Sequence, residues 1–319
     1  MMILEDLFLA STQGREPEQL YQPIEYTLMQ SGKRIRPQLV QLSTKLFGGD
    51  PTQAIYIGAA FEMLHNFTLI HDDIMDKAPI RRGKETVYKK WDSNIAILSG
   101  DALANMALQQ ILKADIACEP KFRIIDLFIN TSLEVCEGQQ YDLNFETMDN
   151  VMIEEYLTMI RLKTAVMLAG CLKAGAVLSE ASLEDQDAIY RFGIELGIAF
   201  QLKDDLLDLY ADHELFGKKK GMDIQDNKKT YLYLQALQDA SPEQCQELVS
   251  LFSNNIVDFN EKLNRVIEIY ELLQIKEKIE AVADRYIENA LTMLNTVNQP
   301  VEKKNDLREM TLQLCKRTK

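Results

Sequence analysis

Residues that break helices are scarce in this chain. Its 319 residues include 14 glycines and 8 prolines, well under the roughly 12% share that the two hold in an average protein, and most stand at apparent helix ends. Long helices with few turns follow. No stretch has the composition of a linker, so a single domain over residues 1–319 is expected, although the length alone would allow two. Period-two alternation, Asn-Gly or Asp-Gly hairpins, and repeats beyond two acidic clusters are also missing, which leaves an all-α fold. Cys118, Cys136, Cys171, Cys245 and Cys315 are scattered, odd in number and without Cys-x-x-Cys spacing. They indicate neither a disulfide framework nor a zinc site and suit a reducing cytosol. Histidine occurs only as His65, His71 and His213. Glu62 and His65 have the Glu-x-x-His spacing of di-iron bundles, but that site uses the element twice and no second copy exists.

Net positive charge is lacking too. At −14, with a pI near 4.8, the chain is an unpromising partner for nucleic acid or an anionic membrane surface. The start Met-Met-Ile-Leu-Glu-Asp lacks the basic residues of a signal peptide. No apolar run reads as long enough to cross a bilayer, so no membrane span is expected.

What is present is a set of carboxylates in apolar surroundings. The stretch His65 to Gly83 carries Asp72, Asp73 and Asp76. On a helix Asp72 and Asp76 are one turn apart and can converge on one or two divalent ions, whereas Asp73 points roughly 100° away. The pattern recurs from Phe200 to Asp208, where Gln201, Asp204 and Asp208 share one side and Leu202, Leu206 and Leu209 the other. Two such helices face to face would form a cage of hard oxygen ligands of the kind that suits Mg2+.

Local basic clusters stand out against the acidic background: Lys33, Arg34 and Arg36; Arg81, Arg82 and Lys84; Lys218 to Lys220; Lys228 and Lys229; and Lys316, Arg317 and Lys319. Pro37 suits the first turn of a helix and puts Lys33 to Arg36 at its entrance, where backbone N–H groups favour an anion; a solvated charged turn fits equally well. Gly48 and Gly49 end that helix, and Asp50 and Pro51 begin the next, which runs to Asp76. Carboxylates occupied by metal would leave Arg81 and Arg82 for phosphate oxygens, which a guanidinium fork matches. Lys163, beside Thr164 in an apolar helix, requires an anionic partner, and a ligand phosphate would serve. Asp101, Gln139 and Asp142 are further polar residues among core positions. Ser182 and Ser241 carry capping signatures, and residues 217–230 read as a polar loop.

Taken together, Gly32-Lys33-Arg34-Ile35-Arg36-Pro37, Asp72-Asp73-Ile74-Met75-Asp76, Arg81-Arg82-Gly83, Lys163-Thr164 and Phe200-Gln201 through Asp208 resemble, in order, the motifs of the trans-isoprenyl diphosphate synthases. The resemblance covers most of the chain. It implies the isoprenoid-synthase helical bundle around a central apolar cavity, paired as a homodimer. The implied reaction condenses isopentenyl diphosphate with an allylic diphosphate (dimethylallyl, geranyl or farnesyl) and releases pyrophosphate. It assigns three Mg2+ ions to Asp72, Asp76, Asp204 and Asp208. It assigns the isopentenyl diphosphate pocket to Lys33, Arg36, His65 and Arg82, and the allylic diphosphate to Arg81, Lys163, Lys218 and Lys228. Thr164 and Gln201, with Phe200 beside them, would face the developing cation, and the tail Lys316-Arg317-Thr318-Lys319 is similar to one that closes over the second substrate in some members. Family ruler positions fall on Phe67 and Thr68. A small residue beside a phenyl resembles short-chain synthases with a partial floor, so a C15 to C20 product is expected, with geranylgeranyl slightly ahead of farnesyl. Terpene cyclases share the fold but do not need Lys33, Arg36 or a second Asp-Asp-x-x-Asp, and a non-catalytic partner subunit would not need intact aspartates.

Overall fold

The computed structural model describes residues 3–211, 220–253 and 258–315. Long helices dominate it, as the shortage of glycine and proline implies. In chain order they are α1 (Leu4–Thr12), α2 (Glu18–Leu28), α3 (Ile35–Leu46), α4 (Pro51–Met75), the single turn α5 (Val87–Lys90), α6 (Ser93–Lys113), α7 (Cys118–Thr147), α8 (Ile153–Ile160), α9 (Val166–Leu178) and α10 (Leu183–Tyr210). After a short helix at Met222–Gln225, the chain continues through Tyr231–Asp239, Pro242–Phe252, Phe259–Leu272, Ile275–Thr296 and Val301–Cys315.

The helix starts follow their local chemistry. The Asp50 carboxylate accepts the Thr52 N–H at 2.8 Å, with Pro51 as the first helical residue of α4. Ser182 Oγ accepts the Asp185 N–H at 3.1 Å. Ser241 and Gln244 cap reciprocally, Gln244 N–H donating to Ser241 Oγ at 3.3 Å and Ser241 N–H to Gln244 Oε1 at 3.0 Å. Each side-chain oxygen satisfies an N–H that a helix start leaves without an intrahelical partner.

Three features differ from the sequence reading. A minimal antiparallel hairpin, Ile80–Arg81 with Lys84–Glu85, interrupts the helices. Its turn residues Arg82 and Gly83 have φ of 53° and 74°, the left-handed pair that a two-residue hairpin turn requires, and strands of two residues are too short to show alternation. Residues Arg161–Ala165 form a π-helical turn between α8 and α9. Finally, α6 is long and apolar enough to cross a bilayer, which corrects the expectation that no run reaches that length. In the protein Ala96, Leu103, Ala107 and Ile111 of this helix are core residues, and the helix packs on α4.

The chain divides into two compact units that interleave in sequence. One comprises Met1–Ser132, Gly170–Tyr190 and Val297–Leu307; the other comprises Leu133–Ala169, Arg191–Thr296 and Arg308–Lys319. The first is built on α4, where Ile57, Ala59, Ala60, Phe61 and Met63 have no exposed surface. Gly58 lets α3 approach closely: a Cβ there would lie 2.8 Å from the Pro37 Cα. The second buries the apolar side of α10, Leu202, Leu206 and Leu209, in a cluster with Val266, Ile269, Tyr270 and Ile279. That burial leaves the polar side of α10 for chemistry.

Candidate active site

In the first unit the carboxylates fall at the end of α4. Asp72 is half-buried, and Asp76, the C-cap, is exposed. Asp73, on another side of the helix, is buried and accepts from Arg81 Nε at 2.7 Å. The hairpin makes this possible, because its left-handed turn reverses the chain a few residues after the helix ends. Burial pushes the Asp73 carboxyl up, against the pull of Arg81. Arg81, read from sequence as a phosphate ligand, is therefore engaged with a protein carboxylate here.

Four of this unit's guanidinium groups, those of Arg34, Arg36, Arg81 and Arg82, act on His65. Arg34, at a left-handed position with φ of 47°, caps α3. It donates to Glu62 Oε1 at 2.9 Å and to the Gln30 carbonyl at 2.9 Å, which ties the end of α2 to α4. Glu62 is 2% exposed, and its Oε2 has no hydrogen-bond partner. Burial lowers the pKa of half-buried Arg36 and of Arg82, opposed in both by the charge of Glu62. The Arg82 guanidinium lies against Gly32, Nη1 being 3.2 Å from where a Cβ would stand. Burial, with the charges of Arg36, Arg82, Arg81 and Arg34, holds His65 well below the usual imidazole range, so it is neutral near pH 7. Lys33 is exposed, and its carbonyl accepts from Gln38 Nε2 at 2.6 Å. Positive charges so concentrated favour an anion, and guanidiniums match phosphate oxygens two at a time. Nearby on α4, Thr68 donates to the His65 carbonyl at 2.9 Å, and the Phe67 ring meets His71 edge to face with centroids 4.8 Å apart.

In the second unit the π turn carries Lys163 and Thr164. Lys163 Nζ donates to Asp142 Oδ2 at 2.5 Å, so the anionic partner it requires is a protein carboxylate in this state. Gly138 of α7 admits the turn, since a Cβ there would lie 2.3 Å from the Lys163 backbone nitrogen. Thr164 Oγ1 donates to Gln201 Oε1 at 3.0 Å, Gln201 Nε2 donates to Asp205 Oδ1 at 3.0 Å, and the buried Tyr156 hydroxyl donates to Asp205 Oδ2. Phe200 is half-buried and Asp204 exposed. Burial raises Asp205 well above the carboxylate range, helped by Asp223 and opposed by Tyr156 and Gln201. Asp208 Oδ2 accepts the Asp223 N–H at 3.1 Å. The Asp223 carboxyl is pushed up to about 7, chiefly by burial and then by Asp208, with Lys228 opposing. Lys229, next along, donates to the Phe145 and Met148 carbonyls at 2.6 and 2.5 Å and so caps the end of α7. Lys218 and the tail from Lys316 to Lys319 lie outside the described residues; of the five cysteines, only Cys118 and Cys136 are exposed.

Among the described residues no three His, Cys, Asp or Glu side chains stand as a preassembled ion site. The donor set still fits a hard divalent cation. Carboxylate oxygens suit Mg2+, and the mutual repulsion that raises Asp223 beside Asp208 and Asp204 marks negative charge that such an ion would offset.

Asp223 and Tyr156 were not singled out from sequence. For Asp223 the only signal was an acid inside Gly221-Met222-Asp223-Ile224. Tyr156 carried none, because a tyrosine at helical spacing is ordinary core material. Asp142 is polar among core positions, but its pairing across 21 residues is not legible in the chain.

Residues 17–273 match the family model described as polyprenyl synthetase. The chain is 37% identical over 284 residues to a short chain isoprenyl diphosphate synthase of Methanothermobacter thermautotrophicus, spanning 89% of this chain and 86% of that protein. It superposes on a crystal structure of a geranylgeranyl pyrophosphate synthase with TM-score 0.92 and 40% identity, covering 100% of each chain. A geranylgeranyl pyrophosphate synthase from Corynebacterium glutamicum, solved in complex with isoprenyl diphosphate and magnesium, gives TM-score 0.87 at 26% identity, over 98% of this chain and 95% of that one.

Proposed function

Because the chain belongs to the polyprenyl synthetase family and is a trans-prenyltransferase that condenses isopentenyl diphosphate with an allylic diphosphate, we propose that its product is C15 to C20, geranylgeranyl ahead of farnesyl. The observation that carries this reading is the phenyl ring of Phe67 on α4, five residues before Asp72, with small Thr68 beside it. One ring gives a partial floor to a slot running along the helix. Relatives named for geranylgeranyl products point the same way.

The residues divide by role. Lys33, Arg36, His65 and Arg82 hold isopentenyl diphosphate; neutral His65 serves as a hydrogen-bonding group, not a charge. Arg81, Lys163, Lys228 and Lys218 take the allylic diphosphate, and Arg81 and Lys163 exchange Asp73 and Asp142 for phosphate oxygens on binding. Asp72 and Asp76, and Asp204 and Asp208, would hold three Mg2+ ions through carboxylate oxygens, the donors that suit this cation. When bound they neutralise the leaving pyrophosphate. Thr164 has its proton engaged by Gln201 and so presents lone pairs, which favour a neighbouring cation. The buried apolar residues keep out water that would turn the cation into an alcohol. Pairing as a homodimer is supported by exposed apolar residues on α6 and α7, among them Leu98, Leu112, Phe122 and Ile129, which are 59, 59, 76 and 44% exposed.

The test is to incubate the purified protein with labelled isopentenyl diphosphate, Mg2+ and each allylic primer in turn, then to size the products. Geranylgeranyl diphosphate as the main product is expected. Chains beyond C20 as the main product would overturn the assignment of length.

A further inference from the structure

We propose that His71 and Gly100 set the product length, by fixing the direction in which the Phe67 ring crosses the slot. This rests on the reading of Phe67 as the floor. Phe67 and His71 are four residues apart on α4, so they stack along one side of the helix, and their rings meet at 68° with centroids 4.8 Å apart. His71 is also held from α6. Its Nε2 is 3.2 Å from the Ile97 carbonyl and 3.9 Å from Asp101 Oδ1, both on α6. Facing the ring across that interface is Gly100, where a Cβ would stand 2.3 Å from His71 Nε2, 2.6 Å from Cδ2 and 3.2 Å from Cε1.

Gly100 is buried within a 21-residue helix and is not among the glycines with positive φ. The backbone has no need of glycine there, and in a helix interior glycine is less stable than alanine. The space it leaves is what matters, and the His71 ring fills it. His71 is thus a wedge between α6 and Phe67: pressure from α6 is passed to the phenyl ring, and removal of the imidazole releases it. A side chain at position 100 must displace the ring, and the Phe67 phenyl packed against that ring moves with it. That drives the phenyl further across the slot and shortens the chain that fits.

The experiment compares products of the parent protein with those of Gly100→Ala, His71→Ala, Gly100→Ala/His71→Ala and Phe67→Ala, at saturating Mg2+, primer and isopentenyl diphosphate. Gly100→Ala is expected to raise the C15 to C20 product ratio at least threefold. His71→Ala is expected to shift it at least threefold the other way, toward C20 and longer. The double variant should follow His71→Ala, because no ring remains to be pushed. A product ratio is independent of how much active enzyme survives, so general damage to the fold does not imitate these opposite shifts. If Gly100→Ala does not accumulate as folded protein, His71→Ala carries the test alone. Unchanged ratios in the His71 and Gly100 variants, with longer products from Phe67→Ala, would overturn this inference and leave the floor assignment standing. An unchanged ratio in Phe67→Ala would overturn both.

Discussion

At the scale of single residues, the second aspartate cluster separates into roles that its motif does not distinguish. Asp204 is exposed, Asp208 is half-buried beside Asp223, and Asp205 is buried and accepts from Gln201 and Tyr156. Tyr156→Phe removes one of the two donors on Asp205. A decrease in kcat with KM for either substrate within twofold of the parent is expected; parallel increases in both KM values would point to a binding role instead. Asp72→Ala should lower kcat by at least roughly 10²-fold, on the scale of losing a group that stabilises developing charge, while far-UV circular dichroism stays helical. Unchanged activity would end the metal assignment. Asp223 supplies a pH effect. Its folded pKa, about 7, lies above the roughly 3.9 of an unfolded aspartate. Between those values the folded state holds the extra proton, so this carboxyl makes the protein less stable as pH rises from about 4 through 7. In magnesium-free buffer Asp223→Asn should therefore raise Tm more at pH 8 than at pH 5, and an equal shift at both would contradict the raised pKa.

At the scale of elements, most helices could be read from the chain because their signals are local. Asp50-Pro51, Ser182 and Ser241 each place a cap within four residues of the N–H groups they satisfy. The π turn at Arg161–Ala165 could not be read this way. Nothing between Ile160 and Val166 departs from helical periodicity, and the cause lies on α7, where Gly138 makes room for the widened turn. Gly138→Ala should force the turn outward, with a stability loss of about 1–3 kcal/mol typical of overpacking and a larger fall in activity than in Tm would suggest, because Lys163 and Thr164 ride on the turn. Denaturant midpoints measured beside kcat would check this. Lys229→Met, next to a residue with an expected binding role, should instead act on stability: the Phe145 and Met148 carbonyls at the end of α7 lose a charged donor, which costs about 1–3 kcal/mol, with KM for the allylic substrate unchanged.

At the scale of the whole molecule, α6 and α7 carry exposed apolar residues, Leu98 and Phe122 among them, that one chain leaves uncovered. Phe122→Asp together with Leu98→Asp should convert a dimer to a monomer in sedimentation equilibrium, and a parent protein that sediments as a monomer would dispose of the pairing. The chain alone determined the all-α class, the helix starts and the acidic and basic clusters, since periodicity, caps and motif spacing are short-range properties that survive in a linear text. Only tertiary structure decided which charges meet. Arg81 turns back to Asp73 through a hairpin, Lys163 finds Asp142 21 residues away, and Gly100 makes room for His71 29 residues earlier. Such pairings depend on the direction and separation of packed helices, which are set by the shapes of whole side-chain surfaces and not by any single stretch of sequence.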